Sequence, residues 1–90
     1  MKKPLPKILF MTIKKKWFDE IKAGIKKIEH REYKKYWTRR LVDREYDLIT
    51  FQNGYAKNAP RITLKYMGYY TEPGTYCIML GDIVTDIFTD

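Results

Sequence analysis

A short stretch between residues 23 and 37, AGIKKIEHREYKKYW, contains the side chains of this sequence best suited to chemistry. Lys26, Glu29 and Arg31 lie close together within it. A carboxylate can accept hydrogen bonds from the amino edge of a base, or act as a general base once removed from water. A guanidinium can bind phosphate or stack on a base, and a lysine can bind phosphate as a point charge. The trio predicts a charged cleft in which Lys26 and Glu29 are the candidate catalytic residues; a solvated strand of alternating charges is the alternative.

Aromatic and basic residues alternate immediately after the trio, in the segment YKKYWTRR. Such interleaving is typical of proteins that bind single-stranded nucleic acid, because base stacking and phosphate neutralisation add together. Tyr33, Trp37 and Arg40 are therefore candidate binding residues, together with Lys14 ahead of the trio. The four-residue spacing of Tyr33 and Trp37 fits a helix face turned toward the core equally well.

Two further segments complete the set of candidate side chains. The sequence QNGY predicts a turn at which Asn53 can present its amide, and Tyr55 follows as a possible stacking surface. His30 has neither a second histidine nor a cysteine near it in the sequence, so no metal site is predicted. Cys77 lies in an apolar run and is expected to be a small buried hydrophobe. No glycine-rich phosphate loop is present, and no cofactor is predicted.

The charge of the chain is concentrated in its first half. Residues 1–44 carry 15 Lys or Arg and 5 Asp or Glu, and residues 45–90 carry 3 and 6; the balances of +10 and −3 make up the net charge of +7. A basic half attracts polyanions, of which nucleic acid is the commonest, although a solubilising surface gives the same numbers.

Length and composition predict a single domain over residues 1–90, in a cytoplasmic protein without a membrane segment. One cysteine excludes an intrachain disulfide and suits a reducing compartment. The N-terminal apolar run is too short for a signal peptide, and no segment approaches the ~20 apolar residues of a membrane span.

Hydrophobic periodicity divides the chain into alternating elements. Trp17, Phe18, Ile21 and Ile25 are spaced as one apolar helix face. Gly24 is placed to end that helix and Gly81 to form a bulge or bend. The predicted elements are strand 7–13, helix 14–24, strand 25–33, helix 34–45, strand 46–55, strand 60–70, a turn at 72–74, and a final strand or pair of strands at 75–88.

This order predicts an α+β fold, a small and partly closed mixed β-barrel of five to six strands with two short helices. A wholly parallel sheet is disfavoured, because the last three strands have no helical crossovers between them. In the strand at 25–33, alternation puts Lys26, Ile28 and His30 on one face, and Lys27, Glu29, Arg31 and Tyr33 on the other.

Gly24, Lys26, Glu29 and Arg31 form the pattern G-x-K-x-x-E-x-R, which resembles the signature of the ASCH domain family. The stretches YW-x-R-R-L, F-x-NGY and LG-x-I extend the resemblance over nearly the whole chain, to the small single-domain ASCH proteins of bacteria and phages. The resemblance implies a PUA-like β-barrel and an RNA-related role, with Lys26, Glu29 and Arg31 lining a cleft beside the barrel.

One ASCH branch resembles N4-acetylcytidine amidohydrolases, which use a lysine, a threonine nucleophile and a later glutamate. Lys26 matches that lysine, but Glu29 stands where the threonine is expected, and a carboxylate does not replace a hydroxyl nucleophile. The segment YYTEPGTY at 69–76 is also shorter than the corresponding loop of many small relatives, which predicts a more open cleft.

The leading prediction is a module that binds RNA or a modified nucleotide. The first alternative is a small hydrolase acting on a modified nucleoside or on RNA, with Glu29 as base and Lys26 as electrostatic stabiliser or nucleophile. The second is a protein-interaction module whose basic patch binds an acidic partner. In the leading prediction, Lys26, Arg31 and neighbouring lysines hold phosphate, Glu29 and Asn53 read base edges, and Tyr33, Trp37 or Tyr55 stacks on a base. Lys14 and Arg40 are further candidate binding residues.

Overall fold

The computed structural model describes residues 5–84, which form five strands and two helices in the predicted order. Each predicted element is present with its ends shifted by a few residues, and residues 85–88 of the predicted last strand lie outside the described range. The elements are β1 Ile8–Ile13, α1 Lys15–Lys22, β2 Ile28–Glu32, α2 Lys35–Leu41, β3 Leu48–Asn53, β4 Arg61–Glu72 and β5 Thr75–Ile83.

The strands form one mixed sheet in the order β1-β3-β4-β5-β2. β1 and β3 are parallel, joined by a crossover that contains α1, β2 and α2, and the other three pairings are antiparallel. The sheet curls into a half-barrel with two helices. The predicted class, a small α+β fold with a barrel-like mixed sheet, is confirmed at this level.

Two β-bulges between β4 and β5 bend the sheet. Gly81 and Asp82 lie opposite Lys65 alone, and Met67 and Gly68 lie opposite Met79 alone. A β-carbon at Gly81 would lie 3.0 Å from the Lys65 and Met67 side chains and would force them to shift, so glycine is favoured at this position. Bulges increase the local twist, which helps to curl a sheet of this size. The bend predicted at Gly81 is confirmed.

The core lies between the concave face of the sheet and the two helices. β3 is buried along nearly its whole length on both faces, whereas β2 buries only Glu29. The predicted apolar face of α1 is only partly correct: Phe18 and Ile21 are buried, but Ile25 lies beyond the helix and is 73% exposed. The main core cluster comprises Leu9, Met11, Ile13, Phe18, Ile21, Leu41, Ile49, Phe51, Leu64, Tyr76, Ile78 and Leu80.

Neither helix within residues 5–84 has the length and apolar character needed to cross a lipid bilayer.

Candidate functional site

The end of α1 positions Lys26. Gly24 adopts a φ of +78°, and its N–H donates to the Ile21 carbonyl while the Ile25 N–H donates to the Glu20 carbonyl. This pair of bonds is the Schellman motif, in which a left-handed glycine reverses the chain after a helix. The Lys26 N–H also donates to the Glu20 carbonyl, at 3.1 Å, so the turn fixes the backbone up to the start of β2. The predicted helix end at Gly24 is confirmed.

Glu29 is held between two cations. Its Oε1 lies 3.4 Å from Lys26 Nζ and its Oε2 lies 2.8 Å from Arg31 Nη2, and the three side chains are only 7%, 13% and 22% exposed. Alternation along β2 turns Glu29 and Arg31 to the concave face, opposite Ile78 and Tyr76 of β5. The predicted placement of Lys26 on the face of His30 is wrong, because β2 begins only at Ile28 and Lys26 reaches Glu29 from the turn before it. The three residues converge as a largely buried trio with a formal charge of +1.

Arg31 keeps donors that the trio does not use. A guanidinium carries five N–H donors, and the ion pair with Glu29 engages Nη2. The Arg31 Nε is buried and has no hydrogen-bond partner among the described residues. A buried donor without a partner is costly, so an additional acceptor next to this guanidinium would be stabilising.

Aromatic rings extend the trio at both ends. Lys26 Nζ lies 5.0 Å from the centre of the Trp17 ring on α1, and Arg31 Cζ lies 5.0 Å from that of Trp37 on α2. Beyond Trp37, the Tyr36 ring packs edge-on at 4.9 Å, and Arg40 Cζ lies 4.4 Å above Tyr36. We call this continuous series, which runs from α1 across β2 to α2, the cation–aromatic band. Its members are Trp17, Lys26, Glu29, Arg31, Trp37, Tyr36 and Arg40.

Stacked tyrosines support the band from the sheet. Tyr33 packs on Tyr76 with ring centres 4.8 Å apart, and Tyr69 meets Tyr76 edge-on at 5.6 Å. Thr38 of α2 hydrogen-bonds the Tyr76 hydroxyl, which ties the helix to β5. Tyr33 itself is 61% exposed, so it offers a ring surface beside Arg31 rather than filling the core.

Concave surfaces lie at each end of the band. One of about 190 Å³ includes Lys26 in its lining and lies beside Gly81 and Asp82 of β5. Another, of about 430 Å³, is lined by Arg40 together with Tyr36, Arg39, Arg44 and Tyr46. Two separate concave surfaces, one at each end of the band, suit an extended ligand better than a compact one that fills a single enclosed pocket.

The remaining predicted site residues form a second group. Lys14 precedes α1, and Asn53 ends β3, which pairs in parallel with the end of β1 through Ile13. Tyr55 follows in the next turn and is 89% exposed. Among residues 5–84, no side-chain hydrogen bond or ion pair joins Lys14, Asn53 or Tyr55 to the trio.

Two members of the band are not among the predicted site residues. Periodicity puts Trp17 on the apolar face of α1, but it is 38% exposed and also lies 4.7 Å from Lys16 Nζ. Tyr36 belongs to the segment of interleaved aromatic and basic residues without being a predicted contact, and it is 56% exposed. The available signal was the same for both, an aromatic residue directly beside lysines in KKKW and KKYW.

The prediction concerning His30 rested on sequence neighbours alone. The antiparallel pairing of β2 with β5 places His30 directly opposite Cys77, on the face of the sheet away from the trio. Cys77 is fully buried, as predicted. The sequence separation of these two residues conceals that they are neighbours.

No protein-family model matches the chain, and a search of the curated proteins finds no match to it.

Proposed function

We propose that this protein binds single-stranded RNA, or a modified nucleotide within it, along the cation–aromatic band. The observation that carries the proposal is the band itself. It joins three cations to three aromatic rings in one continuous series, and Tyr33 adds a further exposed ring beside it. Bases have π faces that stack on such rings, and the intervening cations neutralise the phosphates between them.

Each cation has a role in this proposal that follows from its contacts. Lys26, Arg31 and Arg40 bind phosphate, while the rings of Tyr33, Tyr36 and Trp37 stack on bases. Glu29 is 6% exposed and both its oxygens already contact cations, so it positions Lys26 and Arg31 rather than reading a base edge. Asn53, with Lys14 and Tyr55 beside it, would contact a more distant nucleotide.

The ion pairs favour binding over hydrolysis. A lysine acts as a nucleophile only with a free lone pair on its nitrogen, whereas Lys26 Nζ is engaged in an ion pair with Glu29 at 3.4 Å. A general base must reach a substrate proton, whereas the Glu29 carboxylate is turned inward between two cations. We therefore propose a binding module of the ASCH type, with a PUA-like fold, acting in the cytoplasm where its one cysteine stays reduced.

The test is a titration of fluorescently labelled oligouridylate at two salt concentrations. Three phosphate contacts predict a slope of log affinity against log salt of about −2, so affinity falls about 20-fold between 50 and 200 mM salt. Lys26→Gln should reduce the magnitude of this slope by about 0.7. Lys65→Gln is the matched control, because it removes the same charge from the opposite face of the sheet.

Two outcomes would contradict the proposal. One is the absence of detectable binding at 50 mM salt, and the other is an equal loss in Lys26→Gln and Lys65→Gln. Incubation of the same RNA, and of N4-acetylcytidine, with the protein provides the comparison with the hydrolase alternative. Unchanged substrates alongside salt-dependent binding support a binding module, and turnover that Glu29→Gln abolishes supports the hydrolase.

A further inference from the structure

Three potential metal ligands converge on the face of the sheet opposite the cation–aromatic band. His30 comes from β2, Cys77 from β5 and Glu72 from the end of β4, and their ligand atoms all lie within 4.8 Å of one another. The Cys77 thiol donates to Glu72 Oε1 at 3.5 Å. The strand register explains why these residues meet. His30 of β2 lies opposite Cys77 of β5, and Cys77 lies opposite Tyr70 of β4. Glu72 is two residues beyond Tyr70 on the same strand and therefore shares its face.

One nitrogen, one sulfur and one oxygen donor form a set that zinc accepts. A tetrahedral Zn²⁺ with bonds of about 2.0–2.3 Å holds its ligand atoms about 3.3–3.6 Å apart. The distance of 3.5 Å between Cys77 Sγ and Glu72 Oε1 already lies in this range. Thiolate and imidazole ligands select zinc over magnesium or calcium, which prefer oxygen donors.

We propose that His30, Glu72 and Cys77 bind Zn²⁺, with a water molecule in the fourth position. The charges of a thiolate and a carboxylate offset the two charges of the ion, which reduces the cost of holding it beside a buried sulfur. Three neighbouring strands fix the Cα positions of the ligands. Their ligand atoms lie within 4.8 Å of one another, so the widest pair must approach by at most about 1.5 Å to reach tetrahedral spacing.

The contact between two of the ligands exists before any ion is bound. The Cys77 thiol donates a hydrogen bond to Glu72 Oε1 across 3.5 Å, so these two ligand atoms already face each other. Zn²⁺ binding requires the thiol to lose its proton, because a coordinating thiol is deprotonated.

The experiment is a titration of the reduced full chain with Co²⁺, which substitutes for Zn²⁺ and is visible by absorption. The proposal expects thiolate-to-cobalt charge transfer in the near ultraviolet and visible d–d bands of tetrahedral intensity. Zn²⁺ should remove both, since it binds N and S donors more tightly than Co²⁺. Cys77→Ser should abolish the charge-transfer band.

His30→Gln and Glu72→Gln test the geometry without altering a buried residue. Each should weaken Zn²⁺ binding, measured by competition with a chromophoric chelator, by at least about 10-fold, since loss of an outer partner alone costs that much at other metal sites. Glu32→Gln is the matched control. It makes the same chemical change as Glu72→Gln, on the face of β2 that carries His30, but Glu32 pairs with Lys34 and is not one of the three proposed ligands.

The proposal is overturned if saturating Co²⁺ produces no charge-transfer band, or if Zn²⁺ fails to displace it. It is also overturned if Glu32→Gln weakens binding as much as Glu72→Gln, because the effect would then be general surface charge. His30→Gln and Glu72→Gln keep the test decisive should Cys77→Ser fail to fold. RNA titration of His30→Gln separates this site from the band, which lies on the other face.

Discussion

The centre of the sheet and its β2 edge are built from different kinds of contact. β3 is buried on both faces, and Ile49 and Phe51 are completely inaccessible to water. β2 is composed of Ile28, Glu29, His30, Arg31 and Glu32, and its one buried residue is a carboxylate held by two cations. The difference shows that apolar packing at the centre supplies stability, while the edge can hold charged groups at partial burial.

That division has a physical reason. A buried charge is costly unless it is paired, and Glu29 pairs with Arg31 of the same strand and with Lys26 just before it, while tryptophan rings cover both cations. Such groups contribute little net stability, but they keep charged donors close to the surface with their positions fixed. A preorganised site of this kind loses less side-chain entropy when a ligand binds.

The largest predicted effect concerns the centre of the sheet. Phe51→Ala removes a fully buried ring from β3, and large-to-small changes of this type cost about 3–5 kcal/mol of unfolding free energy. Chemical denaturation followed by circular dichroism measures it. If Phe51→Ala lowered the free energy of unfolding by less than Glu29→Gln does, the claim that apolar packing at the centre of the sheet supplies most of the stability would be contradicted.

The second prediction concerns the edge. Glu29→Gln leaves Lys26 and Arg31 without their carboxylate, and removal of one partner from a fully buried pair costs about 3–5 kcal/mol. Because these cations are 13% and 22% exposed, water offsets part of the loss, and we expect about 2–3 kcal/mol in the same denaturation experiment. No change in stability would mean that the trio is not formed in solution.

A polar defect within the apolar region provides the third prediction. The Tyr66 hydroxyl on β4 is buried without a hydrogen-bond partner among the described residues, so Tyr66→Phe should be neutral or stabilise the fold by up to about 1 kcal/mol at pH 7. A destabilised Tyr66→Phe variant would show that the hydroxyl has a partner in solution.

The same hydroxyl gives the wild type an alkaline pH dependence. Burial, with smaller contributions from Tyr46 and Tyr69, raises the pKa of Tyr66 to about 12, from 10.0 in the unfolded chain. The free energy of unfolding does not depend on this hydroxyl below pH 10, where both states keep its proton. It falls as pH rises from 10 toward 12, because the unfolded state releases the proton first. Stability measured from pH 9 to 12 should therefore fall less steeply in Tyr66→Phe.

The smallest effect is expected at the exposed end of β2. Glu32 lies 3.2 Å from Lys34 Nζ, and the two side chains are 73% and 64% exposed. Water screens such a pair, so Glu32→Gln should change stability by less than about 0.5 kcal/mol. Glu29→Gln and Glu32→Gln make the same chemical change in one strand, at a buried and at an exposed carboxylate. If both lowered the free energy of unfolding equally, burial would not explain the importance of Glu29.

Local patterns predicted much of this architecture. The apolar periods located all five strands and both helices of the described range, and Gly24 predicted the end of α1. Alternation along β2 placed Glu29 and Arg31 on one face, which the register confirms. These features are set within a single helix or strand, so the backbone geometry of that element is enough to predict them.

Contacts between distant segments could not be predicted in the same way. The meeting of His30 with Cys77 requires the β2–β5 register, and the bulge at Met67 and Gly68 that turns Tyr69 inward is set by the pairing of β4 with β5. The contact of Trp17 with Lys26 likewise joins α1 to the turn before β2, and the periodicity of α1 does not reveal it. Periodicity shows which residues share a face, but not which face of another element they meet.

The measurement that tests the central claim most directly is the intrinsic fluorescence of Trp17 and Trp37, the only two tryptophans of the chain, both of which belong to the cation–aromatic band. Stacking of bases on or beside these rings predicts that oligouridylate quenches their emission at 50 mM salt, and that Arg31→Lys, which keeps the charge but loses the planar guanidinium, weakens the quenching. Added salt should reverse it. RNA that binds without altering either tryptophan would place the interface elsewhere and contradict the account.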